Sequence, residues 1–222
     1  MGSLRPLLPY WQMNVPEDER TEECPDYLSN LSAKDVGIIG TPDAECHVAT
    51  WPEVQKLVAE NRLDQFQRLP SELRRYLGFS WELKQDYGSV MNFMLTQRLQ
   101  WTAPVWPRGR PFEFGDDVKI LWNDWPYGID ERIVHLVVWT KFDLEEDPIT
   151  DDLTDKARAE IDDYVQKTFG SSLPKDHFVW FKNWRSLKSV QAVEHFHVML
   201  FDPDPAFIDE VTGGDVPLCR KV

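Results

Sequence analysis

One run near the C-terminal end of the chain constrains the fold most, because its residues alternate in character over a full strand length. In an extended segment from Val193, one face carries Val193, His195, His197 and Met199, and the other carries Glu194, Phe196, Val198 and Leu200. A repeat of two residues is the geometry of a β-strand. The run therefore predicts a strand with two imidazoles on one face and an apolar back that packs against a core.

Further apolar runs of strand length precede it, at Val118–Trp122, Ile133–Trp139 and Phe178–Phe181. An amphipathic helix is predicted between the second and third of these, over about Asp152–Phe169. Gly128 and Asp130 predict a short, hairpin-like connection between the first two strands. Because helical patterns come first along the chain and strands follow, the predicted fold class is α+β, with a largely antiparallel sheet and a helical N-terminal extension.

The character of the sequence changes near residue 48. Residues 1–48 are rich in Pro, Asp and Glu, which predicts an extended or partly disordered arm with a short helix near Ser32–Val36. Residues 49–222 predict a single α+β domain, with a helical part over 49–101 and a sheet part over 102–222. Within the helical part, Gly78 is expected to end one helix, and another is predicted over about Ser80–Gln100.

Charge restricts the class of partner. The 222 residues carry 38 acidic and 24 basic side chains, a formal net charge of −14, which argues against a broad grip on nucleic acid or on an anionic membrane. Three widely spaced cysteines and the lack of a secretory leader pattern favour a cytoplasmic protein. A local basic spot could still hold a phosphate, because only the sum of the charges is acidic. The sequence indicates neither a cofactor nor an oligomeric state.

Several tryptophan-containing strings carry a resemblance to a known family. They are Trp106–Phe112, Ile120–Gly128, His135–Lys141 and Trp180–Trp184, leading into Ser189, Val190 and His195–Val198. Over roughly residues 50–201 they resemble the N-acetylglucosamine-induced protein family of fungi. The resemblance implies an intracellular protein linked to the amino-sugar response, and it assigns no reaction.

A more distant resemblance uses the order of Asn123, Pro126, Tyr127, His135–Lys141, Asn183, Ser189 and the His-x-His strand. This order is similar to the histidine-triad superfamily, including its galactose-1-phosphate uridylyltransferase branch. The resemblance implies a histidine-triad-like sheet and a nucleoside phosphate site, where one histidine attacks phosphorus. The chain departs from the pattern with two strand histidines in place of three. Either His197 is the nucleophile and Met199 replaces the third histidine, or His195 is the nucleophile and Val193 replaces the first.

The candidate catalytic residues are therefore His195 and His197. A neutral imidazole is a competent nucleophile near pH 7, and a second imidazole can donate to phosphoryl oxygens. The candidate ligand-binding residues have side chains that hold phosphate or ribose oxygens: Asn123, Lys141, Asn183, Ser189, Arg108 and Arg110. For each of these the alternative is a structural role, such as a turn cap, a solvated strand end or an internal ion pair.

A metal ion is the rival ligand for the same histidines, since two of them at positions i and i+2 of a strand can reach one ion. His135 or Glu113 are candidates for completing such a site, but nothing local supplies them at ligand spacing, and no metal is predicted. Two functions stay open. One is binding, and cleavage or transfer, of a nucleotide or sugar phosphate; the other is a non-catalytic regulatory or interaction role that keeps the fold.

Overall fold

An antiparallel sheet in the order β1-β2-β6-β5 is the centre of the structure, a computed structural model that describes residues 8–150, 152–183 and 193–221. Its strands are β1 (Val118–Trp122), β2 (Ile133–Thr140), β5 (Phe178–Phe181) and β6 (His195–Phe201). A separate two-stranded ribbon pairs β3 (Glu146–Asp147) with β4 (Asp152–Leu153). The predicted α+β class with an antiparallel sheet is confirmed, and the apolar runs coincide with the four central strands.

Helices lie on both faces of this sheet. They are α1 (Ala33–Ile39), α2 (Trp51–Ala59), α3 (Pro70–Tyr87), α4 (Val90–Phe93), α5 (Asp155–Phe169) and α6 (Pro205–Thr212). A π-helical turn over Met94–Leu99 continues α4. Single 3₁₀ turns occur at Tyr10–Gln12, Glu17–Glu19, Asp26–Leu28, Asp43–Glu45, Leu63–Gln65, Gly115–Asp117, Lys175–His177 and Leu218–Arg220. No helix in the described part of the chain is long and apolar enough to cross a membrane.

The apolar back of β6 packs against α5. Along α5, Ala157, Ile161, Val165 and Phe169 are spaced to lie on one side, and all are buried against the sheet. Phe196 and Leu200 of β6 meet them and are completely buried. At the start of α5 the side chain of Thr154 accepts a hydrogen bond from the backbone N–H of Ala157, which caps the helix.

The register of the sheet adds a third histidine to the face that carries His195 and His197. In the β2–β6 pair, Val137 lies opposite His197 and Trp139 lies opposite His195. Directly opposed residues of an antiparallel pair share a face, so His135, two residues before Val137, lies on this face as well. We call it the histidine face.

The histidine face is also covered, by the helical N-terminal part. Near one end of β2, Trp51 and Val54 of α2 pack in a cluster with Ile133, Phe181 and Met199. Near the other end, Leu83, Phe93 and Met94 form a cluster with Val137 and Trp139. The sequence predicted one buried face, whereas the structure buries both. Three polar imidazoles can lie in such an interior because each has hydrogen-bond partners there.

The predicted helix boundary at Gly78 is wrong. Helix α3 runs through this residue, and the ring of Tyr27 lies 3.6 Å from the position that a Cβ would take, so the close packing fills the space beside the glycine. The helix ends instead before Gly88, whose φ of 73° is a left-handed conformation that glycine adopts without strain. The helix predicted over Ser80–Gln100 is consequently the end of α3, α4 and the π-helical turn.

The described part of the N-terminal arm packs on α3. Leu28 and Ile39 are almost completely buried and form a cluster with Leu73. The Tyr10 hydroxyl donates to the carbonyl of Leu28 at 2.7 Å, and Ser32 caps α1, close to where a short helix is predicted. The division of the chain at residue 48 stays a prediction.

Candidate functional site

A cavity of about 130 Å³ lies between the histidine face and helices α3 and α4. We call it the histidine pocket. Its polar lining includes Arg68, Asn123, Tyr127, Asn183, His195 and His197, and its apolar walls come from Phe79, Leu83, Phe93, Met94, Trp139 and Leu218 among others. An engineered cavity of roughly 150 Å³ holds benzene, so the histidine pocket has room for one small ring.

A directed chain of hydrogen bonds runs through the buried imidazoles. Asn183 Nδ2 lies 3.1 Å from His197 Nε2, and His197 Nδ1 lies 3.0 Å from His135 Nε2. If the amide of Asn183 donates, His197 carries its proton on Nδ1 and donates it to His135. Both ring nitrogens of His197 are then engaged within the protein. This arrangement suits a positioning residue better than a nucleophile.

Asn123 supports the same chain from the end of β1. Its Oδ1 accepts from the backbone N–H of Trp125 at 3.2 Å, which turns its Nδ2 towards His135. That Nδ2 lies 3.1 and 3.2 Å from the two ring nitrogens of His135. If Asn123 Nδ2 lay in the plane of the imidazole, it could not be this close to both ring nitrogens without a steric clash with the Cε1 atom between them. Asn123 therefore contacts the face of the imidazole and fixes its orientation.

His195 is held in a different way. Its Nδ1 lies 2.9 Å from the carbonyl oxygen of Val193, which can only accept, so the ring carries a proton on Nδ1. In the neutral ring the lone pair is then on Nε2. The indole of Trp139 stacks on the imidazole with ring centroids 4.4 Å apart. A backbone oxygen and an aromatic ring therefore contribute to the orientation of His195, which lines the histidine pocket.

Burial keeps the imidazoles of His135 and His197 uncharged. Complete burial, assisted by the positive charge of Arg68, lowers the pKa of His135 from 6.5 to about 3. Burial also lowers the pKa of His197 well below 6.5, and the neighbouring imidazoles and Arg68 act in the same direction. Both side chains are therefore neutral at physiological pH, where they hydrogen-bond without adding charge.

Arg68 supplies a positive charge to the pocket. Its Nε donates to the carbonyl of Trp125 at 2.9 Å, and its guanidinium lies 4.3 Å from the ring centroid of Tyr76. No carboxylate lies within ion-pair distance of Arg68 in the ranges that the structure describes. The guanidinium is positioned by a carbonyl and an aromatic ring, and no carboxylate of the described ranges neutralises its charge.

The residues predicted for ligand binding divide by location. Asn123 and Asn183 join His195 and His197 at the histidine pocket. Lys141 lies outside its lining, 3.9 Å from the buried carboxylate of Asp117 and 5.4 Å from the ring centroid of Trp101. Arg108 and Arg110 are on an exposed loop away from the pocket, where Arg108 pairs with Asp116 at 2.9 Å. Ser189 is outside the described residues.

The rival metal site lacks its further ligands. Glu113 is exposed and accepts from the backbone N–H of Arg110, and His135 meets His197 through a hydrogen bond between ring nitrogens. Within residues 8–150, 152–183 and 193–221, no three His, Cys, Asp or Glu side chains are grouped to hold an ion.

A buried charge cluster, which includes Asp124 of the pocket lining, has no sequence signal. Arg98 is 8% exposed and binds the carboxylates of Asp124 and Asp215 through four nitrogen–oxygen contacts of 2.7–2.9 Å. Asp124 also accepts from the backbone N–H of Leu218, whose side chain lines the pocket. We call residues 213–221 the C-terminal tail. The cluster fixes this tail against the end of β1.

Comparison with known proteins agrees with the resemblance drawn from the tryptophan-containing strings. Residues 50–201 match the family described as "Protein of unknown function (DUF3605)". The chain belongs to this family. The match ends with the last residue of β6. It therefore covers the central sheet and α2–α5, which supply most of the residues that line the histidine pocket.

Two fungal relatives share most of the chain. N-acetylglucosamine-induced protein 1 of Candida albicans is 29% identical over 185 residues, which cover 74% of this chain and 73% of the relative. An uncharacterized protein of Saccharomyces cerevisiae is 26% identical over 173 residues, 75% of this chain and 85% of the relative. The solved structure described as "Crystal Structure of HTC1" matches 76% of this chain and 98% of its own, with a TM-score of 0.60 and 22% identity. That likeness concerns the fold alone.

Proposed function

We propose that the chain binds a small phosphate ester, a sugar phosphate or a nucleotide, in the histidine pocket, on a sheet of the histidine-triad type. The observation that carries the proposal is the placement of Arg68. A cation without a carboxylate partner in the described ranges lines this pocket together with two histidines and two amides. The one carboxylate of the described lining, Asp124, is already bound by Arg98. Guanidinium and amide N–H groups are suited to phosphate oxygens.

The walls of the pocket favour a ligand with one ring. The volume of about 130 Å³ is slightly below that of a cavity that holds benzene, so one small ring at most enters, and the aromatic side chains offer flat apolar surfaces for it. The name of the Candida albicans relative refers to N-acetylglucosamine, so phosphorylated amino sugars are the first ligands to test. In this arrangement the ring enters between Trp139 and α3, and the phosphate lies towards Arg68 and Asn183.

Replacement of Arg68 tests the proposal. N-acetylglucosamine 6-phosphate is expected to raise the melting temperature of the wild type, because a ligand at about 100 Kd stabilises the folded state by roughly 2.7 kcal/mol. Unphosphorylated N-acetylglucosamine and uridine monophosphate are run beside it. In Arg68→Gln the ligand-induced shift should disappear, because the variant keeps a polar side chain but loses the charge. Each variant's own unliganded melting temperature is the baseline.

Arg110→Gln is the matched control, since Arg110 is exposed and lies outside the pocket lining. This variant should keep the full ligand-induced shift. A shift that survives in Arg68→Gln, or a wild type that none of the phosphate esters stabilises, would contradict the proposal.

Chemistry at His195 is the second candidate, because its ring lines the histidine pocket and its Nδ1 proton is held by the carbonyl of Val193. In such a step Nε2 forms a bond to phosphorus, while the phosphorus–oxygen bond to the leaving group breaks. The electron pair of that bond goes to the leaving oxygen, which takes a proton from solvent. Water then attacks phosphorus and releases a proton to solvent, and the nitrogen–phosphorus electron pair returns to Nε2. In this scheme His197 and His135 hold the other side chains of the histidine face in place, and neither of them attacks phosphorus.

His195→Gln separates chemistry from binding. If the step occurs, turnover of the phosphate ester that binds best should fall at least about 100-fold in this variant, while binding changes less. His177→Gln is the control, because His177 is outside the pocket and contacts the carbonyl of Phe201. Turnover that persists in His195→Gln would refute a nucleophilic role of His195. If the wild type binds the ligand without turning it over, the protein has a non-catalytic binding function.

A further inference from the structure

A second concave surface lies on the other side of Arg68. It is a groove of about 760 Å³ between the N-terminal arm, α2 and the segment that leads into α3. Its charged lining is Lys34, Lys56, Arg62, Arg68, Glu53 and Glu60. We call it the basic groove. Arg68 is the residue through which it adjoins the histidine pocket.

The two acidic side chains of the groove are already engaged. Glu53 accepts hydrogen bonds from the backbone N–H and the hydroxyl of Thr50, and it lies 3.0 Å from His47 Nε2. These contacts lower the pKa of Glu53 to about 2, so its charge is fixed within the cap of α2. Glu60 faces Lys56 at 4.0 Å, one turn away on the same helix.

The remaining cations have no such partner. Lys34 and Arg62 are exposed, and no carboxylate lies within ion-pair distance of either in the described ranges. Together with Arg68, they leave three positive charges unneutralised around one concavity. Like charges that line one concave surface raise the local concentration of oppositely charged small molecules.

We propose that the basic groove is a second anion site, which takes a small molecule with several phosphate groups. The volume is within the range of small-molecule sites, roughly 300–1,000 Å³, and it exceeds that of the histidine pocket. The amides of Gln65 and Gln67 line the same surface and can donate to phosphate oxygens. Lys34 from the arm and Arg62 from the segment after α2 both line the groove, so one ligand that binds both connects the two segments.

Calorimetric titration with inorganic tripolyphosphate, at fixed ionic strength, tests the site in the full chain. The wild type should bind it, and Lys34→Gln/Arg62→Gln should raise the Kd by about tenfold or more, because two charge-assisted contacts are lost. Lys84→Gln/Lys175→Gln is the matched control. Both of its lysines are exposed, neither lines the groove, and the net charge changes by the same amount. This control should change the Kd by less than about twofold.

The variant of Lys34 and Arg62 separates this site from the histidine pocket, because neither residue lines the pocket. A sugar phosphate monoester should bind the Lys34→Gln/Arg62→Gln variant as it binds the wild type, whereas Arg68→Gln should weaken both ligands. Equal tripolyphosphate affinity in the wild type and in the Lys34→Gln/Arg62→Gln variant would overturn the proposal, as would the absence of binding to the wild type at millimolar concentration. An equal loss in the matched control would also overturn it, since net charge alone would then explain the binding.

Discussion

Arg98→Met is expected to lower the free energy of unfolding by about 3–5 kcal/mol, the cost of removing one partner from a buried ion pair. The side chains of Arg98, Asp124 and Asp215 are 7%, 13% and 9% exposed. Without the guanidinium, two carboxylates face each other with little access to water. Urea denaturation of the variant and the wild type measures the difference.

The chain contains a matched control for this substitution. Arg108 and Asp116 form a pair of similar length, but their side chains are 61% and 76% exposed. Arg108→Met should therefore cost less than about 1 kcal/mol. Equal effects of the two substitutions would show that burial does not determine the strength of the Arg98 cluster. The Arg98 variant should also bind ligand more weakly, because the cluster holds Leu218 at the wall of the histidine pocket.

Acidification is expected to destabilise the fold through the buried histidines. The folded-state pKa of His135 is about 3, below the value of 6.5 that we take for the unfolded chain, so the unfolded state binds more protons between these values. Stability conferred by the neutral ring is complete above pH 6.5 and is lost as the pH falls. From about pH 7 to about pH 5 the loss is roughly 2 kcal/mol for His135 alone. His197, with its pKa lowered too, adds to it.

His135→Asn is the variant that tests this pH dependence, because an amide can accept from His197 but does not titrate. Urea denaturation at several pH values should give a shallower decline for the variant than for the wild type. A net charge of −14 opposes the effect, since protonation of surface carboxylates reduces repulsion in an acidic chain. Parallel pH profiles for the two proteins would contradict the assignment of a buried neutral imidazole.

The strands could be predicted from the sequence because local alternation determines which residues share a face. The alternation in Val193–Phe201 correctly predicted that His195 and His197 share one face of a strand. The apolar run Ile133–Trp139 predicted all of β2 except its last residue. The meeting of His135 with His197 required the register of the sheet, which links residues 62 positions apart. Spacing along one strand carries no information about the neighbouring strand.

The parts that sequence reasoning missed depend on packing over long distances. Arg68 precedes Leu69 and Pro70 at the start of α3 and has no local motif; its role follows from the carbonyl of Trp125 and the ring of Tyr76. Gly78 reads as a helix end, yet the ring of Tyr27 from the arm packs beside it. The helical cover of the histidine face was missed for the same reason. A strand that alternates apolar and polar side chains is predicted to expose its polar face to solvent.

Nuclear magnetic resonance of the five histidine side chains gives the most direct test of the histidine pocket. During titration with N-acetylglucosamine 6-phosphate, or with the nucleotide that stabilises the protein best, the ring nitrogen signals of His195 and His197 should shift with saturation. Those of His47, which lines the basic groove, and His177, which lies outside both cavities, should stay in place. Saturable binding that leaves the signals of His195 and His197 unchanged would contradict a ligand site at the histidine pocket.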